Sequence, residues 1–211
     1  WADTFEKLMG ARVCVAVTHS IFWSIMTPLA ARVAPFGKQA FGLAAVMGGS
    51  IVATVLGVPI GFFTAVYLAK LAPPRLKSIL SSAVSLLSGI PSVVYGLVGM
   101  LVLVPGIRKL FHIPAGASLL AAIIVLAIMI LPSIIKVSVT ALEAVPREYE
   151  DASLALGATP IETYLRVSVP AARSGIAAAV VLGVGRAIGE AMAVMMVSGN
   201  APNLPTSLFE S

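Results

Sequence analysis

Long apolar runs without any charged residue dominate the chain. Three of them, 39–69, 78–107 and 191–209, contain 31, 30 and 19 consecutive uncharged residues. A helix needs about 20 apolar residues to cross the hydrocarbon core of a bilayer. The apolar positions do not alternate with polar ones, as they would in the strands of a membrane barrel. The pattern therefore predicts an all-α fold, a polytopic transmembrane helix bundle.

The chain divides into an N-terminal segment, 1–38, and a membrane domain, 39–211. The first segment has one weaker candidate span, 13–31, in which polar residues and Pro28 interrupt the apolar run. The membrane domain has four predicted spans, with one long connection between the third and the fourth. The spans lie near 41–69, 79–105, 115–135 and 174–198, and the connection covers 136–173.

Basic residues predict the orientation of these spans. The connections 70–78 and 136–173 hold seven lysines and arginines, whereas the opposite connection, 106–112, holds two. Because cytoplasmic ends of spans carry the excess of basic residues, the two richer connections are predicted to be cytoplasmic. Residues 199–211 then lie on the outer side, where a further span would be needed to bring the chain back.

The composition excludes several other classes of protein. Hydrophobic residues make up 59% and charged residues 11% of the chain, with a mean hydropathy of +1.02. A soluble domain carries about a quarter charged residues. The net charge of +5 reflects basic residues at the cytoplasmic ends of spans and does not indicate nucleic-acid binding. Cys14 is the single cysteine, and His19 and His112 lack the spacing of metal ligands.

The 136–173 connection is patterned like a folded element. Pro146, followed by acidic residues, predicts the start of a helix, and Gly157 predicts its C-terminal stop. The sequence Thr159-Pro160-Ile161-Glu162 predicts a second helix that begins with a capping box. Two short helices joined at Gly157 would make a docking element on the cytoplasmic face. An amphipathic hairpin lying on the lipid surface fits the same pattern.

The same connection resembles the EAA loop of ABC importer permeases. The family pattern is Glu-Ala-Ala, three residues, Gly, nine residues and Ile-x-Leu-Pro. Here Asp151-Ala152-Ser153 is followed at the same spacing by Gly157 and by Val167-x-Val169-Pro170. The resemblance implies that this loop seats in a groove of a separate ATPase subunit and transmits its closure to the spans. The residues implied in that coupling are Asp151, Ala152, Ser153, Gly157 and Pro170.

Two membrane segments resemble the phosphate-specific ABC permease family, closer to its C-type than to its A-type subunit. They are SGIPSVVYGL (88–97) and GVGRAIGEAMAVMMVSGN (183–200), and the resemblance runs from about Phe41 to Glu210. It implies a multi-pass, MetI-like permease subunit of the bacterial inner membrane that imports inorganic phosphate. Molybdate and sulfate are the alternative substrates. The region before Phe41 is shorter and less hydrophobic than the family's, and the chain stops where the family continues into a last span. We therefore expect either a fragment or an incomplete gene product.

The resemblance also implies partners. They are a cytoplasmic ABC ATPase dimer, a second permease subunit (identical or different), an extracytoplasmic phosphate-binding protein and membrane lipid. The chain itself has no P-loop, since at Gly37-Lys38 the first glycine is replaced by Arg32 and the hydroxyl residue by Gln39. We therefore expect this subunit to be no enzyme and to hold no cofactor, with ATP and Mg²⁺ bound by the partner ATPase. A membrane sensor or scaffold that docks a signalling partner is the alternative function.

Two charged residues, Arg186 and Glu190, stand inside the fourth predicted span. An arginine at mid-membrane costs about 2.5–3.5 kcal/mol on insertion scales. Four residues apart on one helix face, the two side chains could neutralise each other and hold the bundle together. In the alternative, functional interpretation, the permanently charged, planar guanidinium of Arg186 binds an oxyanion. Glu190 then orients Arg186 and moderates its affinity for that ion. The resemblance makes phosphate the predicted oxyanion.

Five hydroxyl residues of the second predicted span share one helical face, at spacings of four, three, four and three residues. Such a stripe either holds helices together by hydrogen bonds or faces a water-filled path, where its hydroxyls donate hydrogen bonds to phosphate. Pro91 within the stripe favours the second interpretation. Three of these residues and the charged pair make up the predicted substrate path: Ser88, Ser92, Tyr95, Arg186 and Glu190. The other two hydroxyls belong to Ser81 and Ser85.

Overall fold

The computed structural model describes residues 39–114 and 116–198, and their side chains from residue 48 onward. Every regular element in these ranges is a helix, which confirms the predicted all-α class. The chain divides into two compact units between Gly48 and Gly49. The described part of the first unit is the beginning of the first helix, and all else that is described belongs to the second unit. The weaker candidate span, 13–31, lies outside the described residues.

Ten α-helices follow one another in the described part of the chain, and three π-helical turns extend or join them. The helices are α1 (Gln39–Val66), α2 (Pro74–Gly89), α3 (Ser92–Val98), α4 (Val104–Phe111), α5 (Leu119–Glu143), α6 (Arg147–Ala155), α7 (Pro160–Thr163), α8 (Val169–Ala171), α9 (Arg173–Gly189) and α10 (Met192–Ser198). The π-helical turns are Tyr67–Leu71 after α1, Gly99–Leu103 between α3 and α4, and Tyr164–Ser168 between α7 and α8.

Three continuous helical stretches are long and apolar enough to cross a membrane. They are Gly48–Leu71, Ser92–Phe111 and Leu119–Glu143. A fourth is obtained if Pro160–Ala171 and α9, which meet at an angle of 72°, are counted as one span. By length and composition, these are the helices of a membrane protein.

α5 is the helix around which the others pack. In its most apolar part 61% of the residues are buried, against 17% in Ser92–Phe111. Met129, Ile130 and Ile134 on this helix are fully buried. α9 packs along α5, and α2, α3 and α10 also contact it. The core of the second unit therefore lies along α5, whereas the outer helices leave apolar side chains exposed for lipid or a partner.

Glycines allow α1 and α9 to approach α5 closely. A Cβ atom added to Gly57 of α1 would lie 2.7 Å from the side chain of Ile130, and one added to Gly183 of α9 would lie 2.7 Å from Ile134. Small residues at such positions let the backbones of membrane helices come together. α1 and α9 thus contact buried isoleucines of α5 at positions where they have no side chain.

The second predicted span, 79–105, consists of two helices in the structure. α2 ends and α3 begins on either side of Ile90 and Pro91, which have extended backbones with ψ of 129° and 142°. Proline lacks an N–H group and disfavours the helical conformation in the residue before it. The stripe of five hydroxyls is therefore divided, with three of them on α2 and two on α3.

The third and fourth predicted spans have different bounds in the structure. α5 continues beyond 135 to Glu143, so the first part of the 136–173 connection is helical. The 174–198 span is interrupted at Glu190, where α9 has ended and the backbone is extended, with φ −87° and ψ 115°. Because the helix stops before Glu190, Arg186 and Glu190 do not share one helix face.

Candidate functional site

A polar site lies where α2 ends and α3 begins. Tyr95 of α3 donates its hydroxyl hydrogen to the carbonyl of Leu87 on α2, at 2.8 Å. The last carbonyls of a helix have no partner within it, so this bond satisfies one of them and bridges the break. Ser88 donates to the carbonyl of Ser85 at 2.8 Å. Ser92, the first residue of α3, is half-buried.

Arg186 joins this site from α9. Its Nη1 atom donates a hydrogen bond of 3.0 Å to the hydroxyl of Ser133 on α5, and the contact is partly buried. The Tyr95 hydroxyl lies within electrostatic range of the Arg186 guanidinium. Arg186 thus binds a serine of the central helix, and its charge acts on Tyr95, another of the predicted path residues.

Glu190 lies at a different place from the predicted one. Its Oε1 atom accepts the backbone N–H of Ala193 at 3.0 Å, and it thereby caps the start of α10. Within 39–114 and 116–198 no carboxylate forms an ion pair with Arg186. The side-chain partner of the arginine is a neutral hydroxyl, and its positive charge is not compensated by an acid in these ranges.

Two residues of the site, Ser133 and Lys136, were not predicted from the sequence. Lys136 lies one turn beyond Ser133 on α5, and its Nζ atom donates to the Ser88 hydroxyl at 3.4 Å. With the helix expected to end at 135, Lys136 was assigned to the cytoplasmic connection. The signal available for Ser133 was its position directly after Pro132 in an apolar span, where a proline frees a backbone carbonyl that needs a polar neighbour.

The loop between α5 and α9 has the local structure that its sequence predicts. Gly157 has a φ of +87° and ends α6. Thr159 and Glu162 form the capping box, in which the Thr159 hydroxyl accepts the Glu162 N–H at 3.3 Å and the Glu162 carboxylate accepts the Thr159 N–H at 3.0 Å. The hydroxyls of Ser153 and Thr163 lie 2.9 Å apart and join α6 to α7.

The predicted coupling residues lie mainly on the surface of this loop. Asp151, Ala152, Gly157 and Pro170 are exposed, and Ser153 is half-buried. Apolar side chains are exposed beside them, most of all Leu156, which is 90% exposed. An apolar patch of this kind commonly marks an interaction site. The other exposed apolar residues of the loop are Tyr149, Leu154, Ile161 and Leu165.

Glu150 ties the loop to the end of α1. Its Oε1 atom accepts hydrogen bonds from Lys70 Nζ at 2.5 Å and from the Ser168 hydroxyl at 2.7 Å. The side chains of Lys70 and Glu150 are only 11% and 16% exposed. Burial raises the pKa of Glu150, but the hydrogen bonds from Lys70 and Ser168 and the charges of Lys70 and Arg147 outweigh it. The pKa of Glu150 therefore lies below its ordinary value.

A known protein family covers both of these regions. The family described as binding-protein-dependent transport system inner membrane component matches residues 57–209. The chain belongs to this family. The match includes the α2–α3 break, α5, the loop and α9, so the polar site and the loop are both parts of the inner membrane component.

Curated relatives of this inner membrane component are permeases. The chain is 44% identical over 162 residues to the probable ABC transporter permease protein YqgH of Bacillus subtilis, covering 77% of this chain and 52% of the relative. It is 37% identical over 194 residues to the phosphate transport system permease protein PstC of Mesorhizobium japonicum (81% and 59% covered). To PstC of Haemophilus influenzae it is 36% identical over 197 residues (83% and 62% covered). The chain thus spans 52–62% of the length of these relatives.

A solved structure of the MetNI methionine ABC transporter, in inward-facing conformations, has a similar fold. The TM-score is 0.54 and the sequence identity 25%, with 70% of this chain and 66% of that chain covered. This similarity, together with the family match, confirms that the chain has the predicted MetI-like fold of ABC importer permeases.

Proposed function

We propose that the chain is the transmembrane permease subunit of an ATP-driven importer of inorganic phosphate in the bacterial inner membrane. The observation that carries this proposal is Arg186, a charged residue of an apolar bundle whose side-chain partner is a serine hydroxyl rather than a carboxylate. A charge in such a position is costly, and it commonly marks the pathway of an ion or substrate. The two relatives named as phosphate transport permeases support phosphate as the oxyanion.

The chemistry of the site suits an oxyanion. A guanidinium presents two parallel N–H groups to two oxygens of phosphate, and the Ser133 hydroxyl, which accepts from Arg186, can donate a further hydrogen bond. A transport path must bind its ion weakly enough to release it. One arginine with neutral hydroxyl neighbours meets that requirement better than a cluster of cations. Glu190, at the next helix break, adds a negative charge along the path that moderates the affinity.

The loop provides the proposed coupling to ATP hydrolysis. The exposed residues around Leu156 and Gly157 dock on a cytoplasmic ABC ATPase dimer, which binds ATP and Mg²⁺. The bond between Lys70 and Glu150 connects this docking surface to α1, and the 72° bend connects it to α9. A second permease subunit and an extracytoplasmic phosphate-binding protein complete the proposed importer.

Uptake by a reconstituted complex tests the role of Arg186. Arg186→Gln should abolish phosphate uptake, because the permanent charge and the fork are lost together, while the subunit stays inserted and bound to its ATPase. Arg186→Lys keeps the charge without the fork, so it should retain partial uptake at most. Radioactive phosphate uptake into proteoliposomes measures both.

Arg108→Gln is the matched control, since Arg108 is an exposed arginine at the other end of the membrane domain. It should leave phosphate uptake unchanged. Full uptake by Arg186→Gln at normal protein levels would show that phosphate does not pass this arginine. Uptake of molybdate or sulfate in place of phosphate would assign the same site to another oxyanion.

A further inference from the structure

Four basic side chains in the described ranges have a defined side-chain partner, and they fall into two classes. Lys70 binds Glu150 and Lys77 binds Glu143, both at 2.5 Å. The other two cations, Lys136 and Arg186, instead donate to serine hydroxyls. The two cations without a carboxylate are thus also the two whose hydrogen bonds involve the middle part of α5, one from Arg186 to Ser133 and one from Lys136 itself.

Lys136 and Arg186 are related through α5, because one lies on this helix and the other binds it. Arg186 binds Ser133, and Lys136 lies three residues further along the same helix, which is one turn or roughly 4.5 Å of helix rise. Residues at this spacing lie side by side on a helix surface. Lys136 is displaced toward Glu143, the end of α5 that carries the ion pair with Lys77. This is the end predicted to be cytoplasmic.

The contact between Lys136 and Ser88 is easily exchanged. At 3.4 Å it is long for a hydrogen bond from nitrogen to oxygen, so it is weak. The lysine side chain is exposed, and its ammonium group has three donors on a flexible stem. An oxyanion can therefore displace the serine oxygen at little cost, because the ammonium group then faces a negatively charged acceptor in place of a neutral one.

We infer that Lys136 and Ser88 form a second binding station for the transported oxyanion, one helical turn along α5 from the serine that Arg186 binds and nearer the end predicted to be cytoplasmic. The anion leaves the guanidinium of Arg186 for the ammonium of Lys136 before its release. Several adjacent sites of moderate strength allow an ion to enter and still leave, whereas a single strong site would retain it. The inference rests on the proposed function, since it concerns the same transported ion.

Protection of a nearby thiol by phosphate tests this station directly. In a chain with Cys14→Ser, which removes the single native cysteine, a cysteine is introduced at Ser85, one turn from Ser88 on α2. The reconstituted complex is treated with a negatively charged methanethiosulfonate reagent, with and without inorganic phosphate, and labelling of this chain is measured. Phosphate should slow the labelling when Lys136 is present, because the bound anion occupies and neutralises the station.

Three variants complete the experiment. Lys136→Gln should abolish the protection and slow phosphate uptake about tenfold, since a hydrogen bond to a charged group is worth about an order of magnitude in binding. Lys136→Arg restores a cation and should restore most of the protection. Lys109→Gln, a change of an exposed lysine on α4, should leave both protection and uptake as they are.

Protection that persists in Lys136→Gln would overturn the station, and so would the absence of protection in a complex that takes up phosphate. Failure of the proposed function gives a different result. In that case the unmodified complex takes up no phosphate, and the same protection assay with molybdate or sulfate shows whether the station serves another oxyanion. Labelling slowed by phosphate in Arg186→Gln, where uptake is lost, would show that the second station binds on its own.

Discussion

Two prolines within apolar runs have opposite effects on their helices. Pro91 separates two helices, whereas Pro132 lies buried inside the continuous α5. At the Pro91 break the carbonyl of Leu87 finds new donors, the N–H of Ile90 and the hydroxyl of Tyr95. At Pro132 the packing of a buried helix outweighs the loss of one hydrogen bond, which is worth about 1 kcal/mol. The surroundings of each proline decide whether its span stays continuous.

At Gly157 a single backbone angle supports a prediction about coupling. Gly157→Val should lower the amount of phosphate imported per ATP hydrolysed, because a β-branched residue resists the φ of +87° at about 1–2 kcal/mol and reshapes the end of α6. A Cβ atom at this position meets nothing within 4 Å, so a steric clash is not the cause. ATPase activity and phosphate uptake are measured together on the reconstituted complex.

Gly106→Val is the matched control for this change. A Cβ on Gly106 also meets nothing within 4 Å, and its φ is not positive. The control should leave the ratio of import to hydrolysis unchanged. A normal ratio in Gly157→Val would contradict a coupling role for the loop, whereas loss of the ATPase from the complex would support its role in docking.

The ion pairs that connect the helices near the loop differ in burial. Lys70 and Glu150 join α1 to α6 with side chains 11% and 16% exposed, and Lys77 and Glu143 join α2 to α5 at 36% and 45%. Removing one partner of a buried pair leaves an uncompensated charge and costs about 3–5 kcal/mol. An exposed pair is worth about 1 kcal/mol or less. Of the two ion pairs, the one at Glu150 is therefore the stronger link between the loop and the rest of the membrane domain.

Glu150→Gln should lower both the thermal stability of the subunit and the coupling of uptake to ATP hydrolysis. The expected loss is about 3 kcal/mol, because Lys70 is left without its counter-ion. Glu143→Gln, at the exposed pair, should cost about 1 kcal/mol at most. Combining Lys70→Glu with Glu150→Lys should recover part of the loss. Thermal unfolding in detergent distinguishes these variants, and equal losses at Glu150 and Glu143 would contradict the difference in burial.

The same carboxylate predicts how stability depends on pH. Because the pKa of Glu150 is lower in the folded protein than its ordinary value of 4.5, its contribution is fully present above that value. The contribution is lost as the pH falls through the lower, folded pKa. The difference in Tm between the unmodified subunit and Glu150→Gln should therefore shrink below about pH 4.5, and a constant difference down to pH 3 would count against it.

At the scale of the whole molecule, features that depend on adjacent residues could be predicted from the sequence, whereas contacts between distant residues could not. Charge-free runs predicted the apolar helices, and the stop at Gly157 and the capping box followed from a few adjacent residues. Arg186 was noticed because a charge stands out in an apolar run. The bonds of Ser133 and Lys136 join residues 53 and 48 positions apart. Such contacts depend on how helices pack, and the end of α9 before Glu190 likewise depends on its surroundings.

The orientation of the membrane domain can be tested at two exposed leucines. In a Cys14→Ser chain, Leu156→Cys on the loop should react with a membrane-impermeant thiol reagent only after the cells are opened. Leu110→Cys, on α4 in the opposite connection, should react in intact cells. Leu156 and Leu110 are 90% and 72% exposed on the surface of the subunit, and Leu110 lies at the end of its apolar stretch.

Reaction of Leu156→Cys in intact cells would reverse the topology and place the loop out of reach of a cytoplasmic ATPase. The same result for both cysteines would show that the two connections lie on one side. In that case α5, which links the two connections, could not cross the membrane once, because a single crossing places the connections before and after it on opposite faces.

The 72° bend between Pro160–Ala171 and α9 determines the angle at which a force on the loop is transmitted to α9. When two rigid helices meet nearly at a right angle, a movement along the axis of the first displaces the second sideways. Arg186 lies 13 residues from the start of α9 at Arg173, about 20 Å along the helix. A small rotation at the elbow thus sweeps the guanidinium through a much wider arc. In mechanical terms the loop and α9 form a bent lever, whose long arm ends at Arg186.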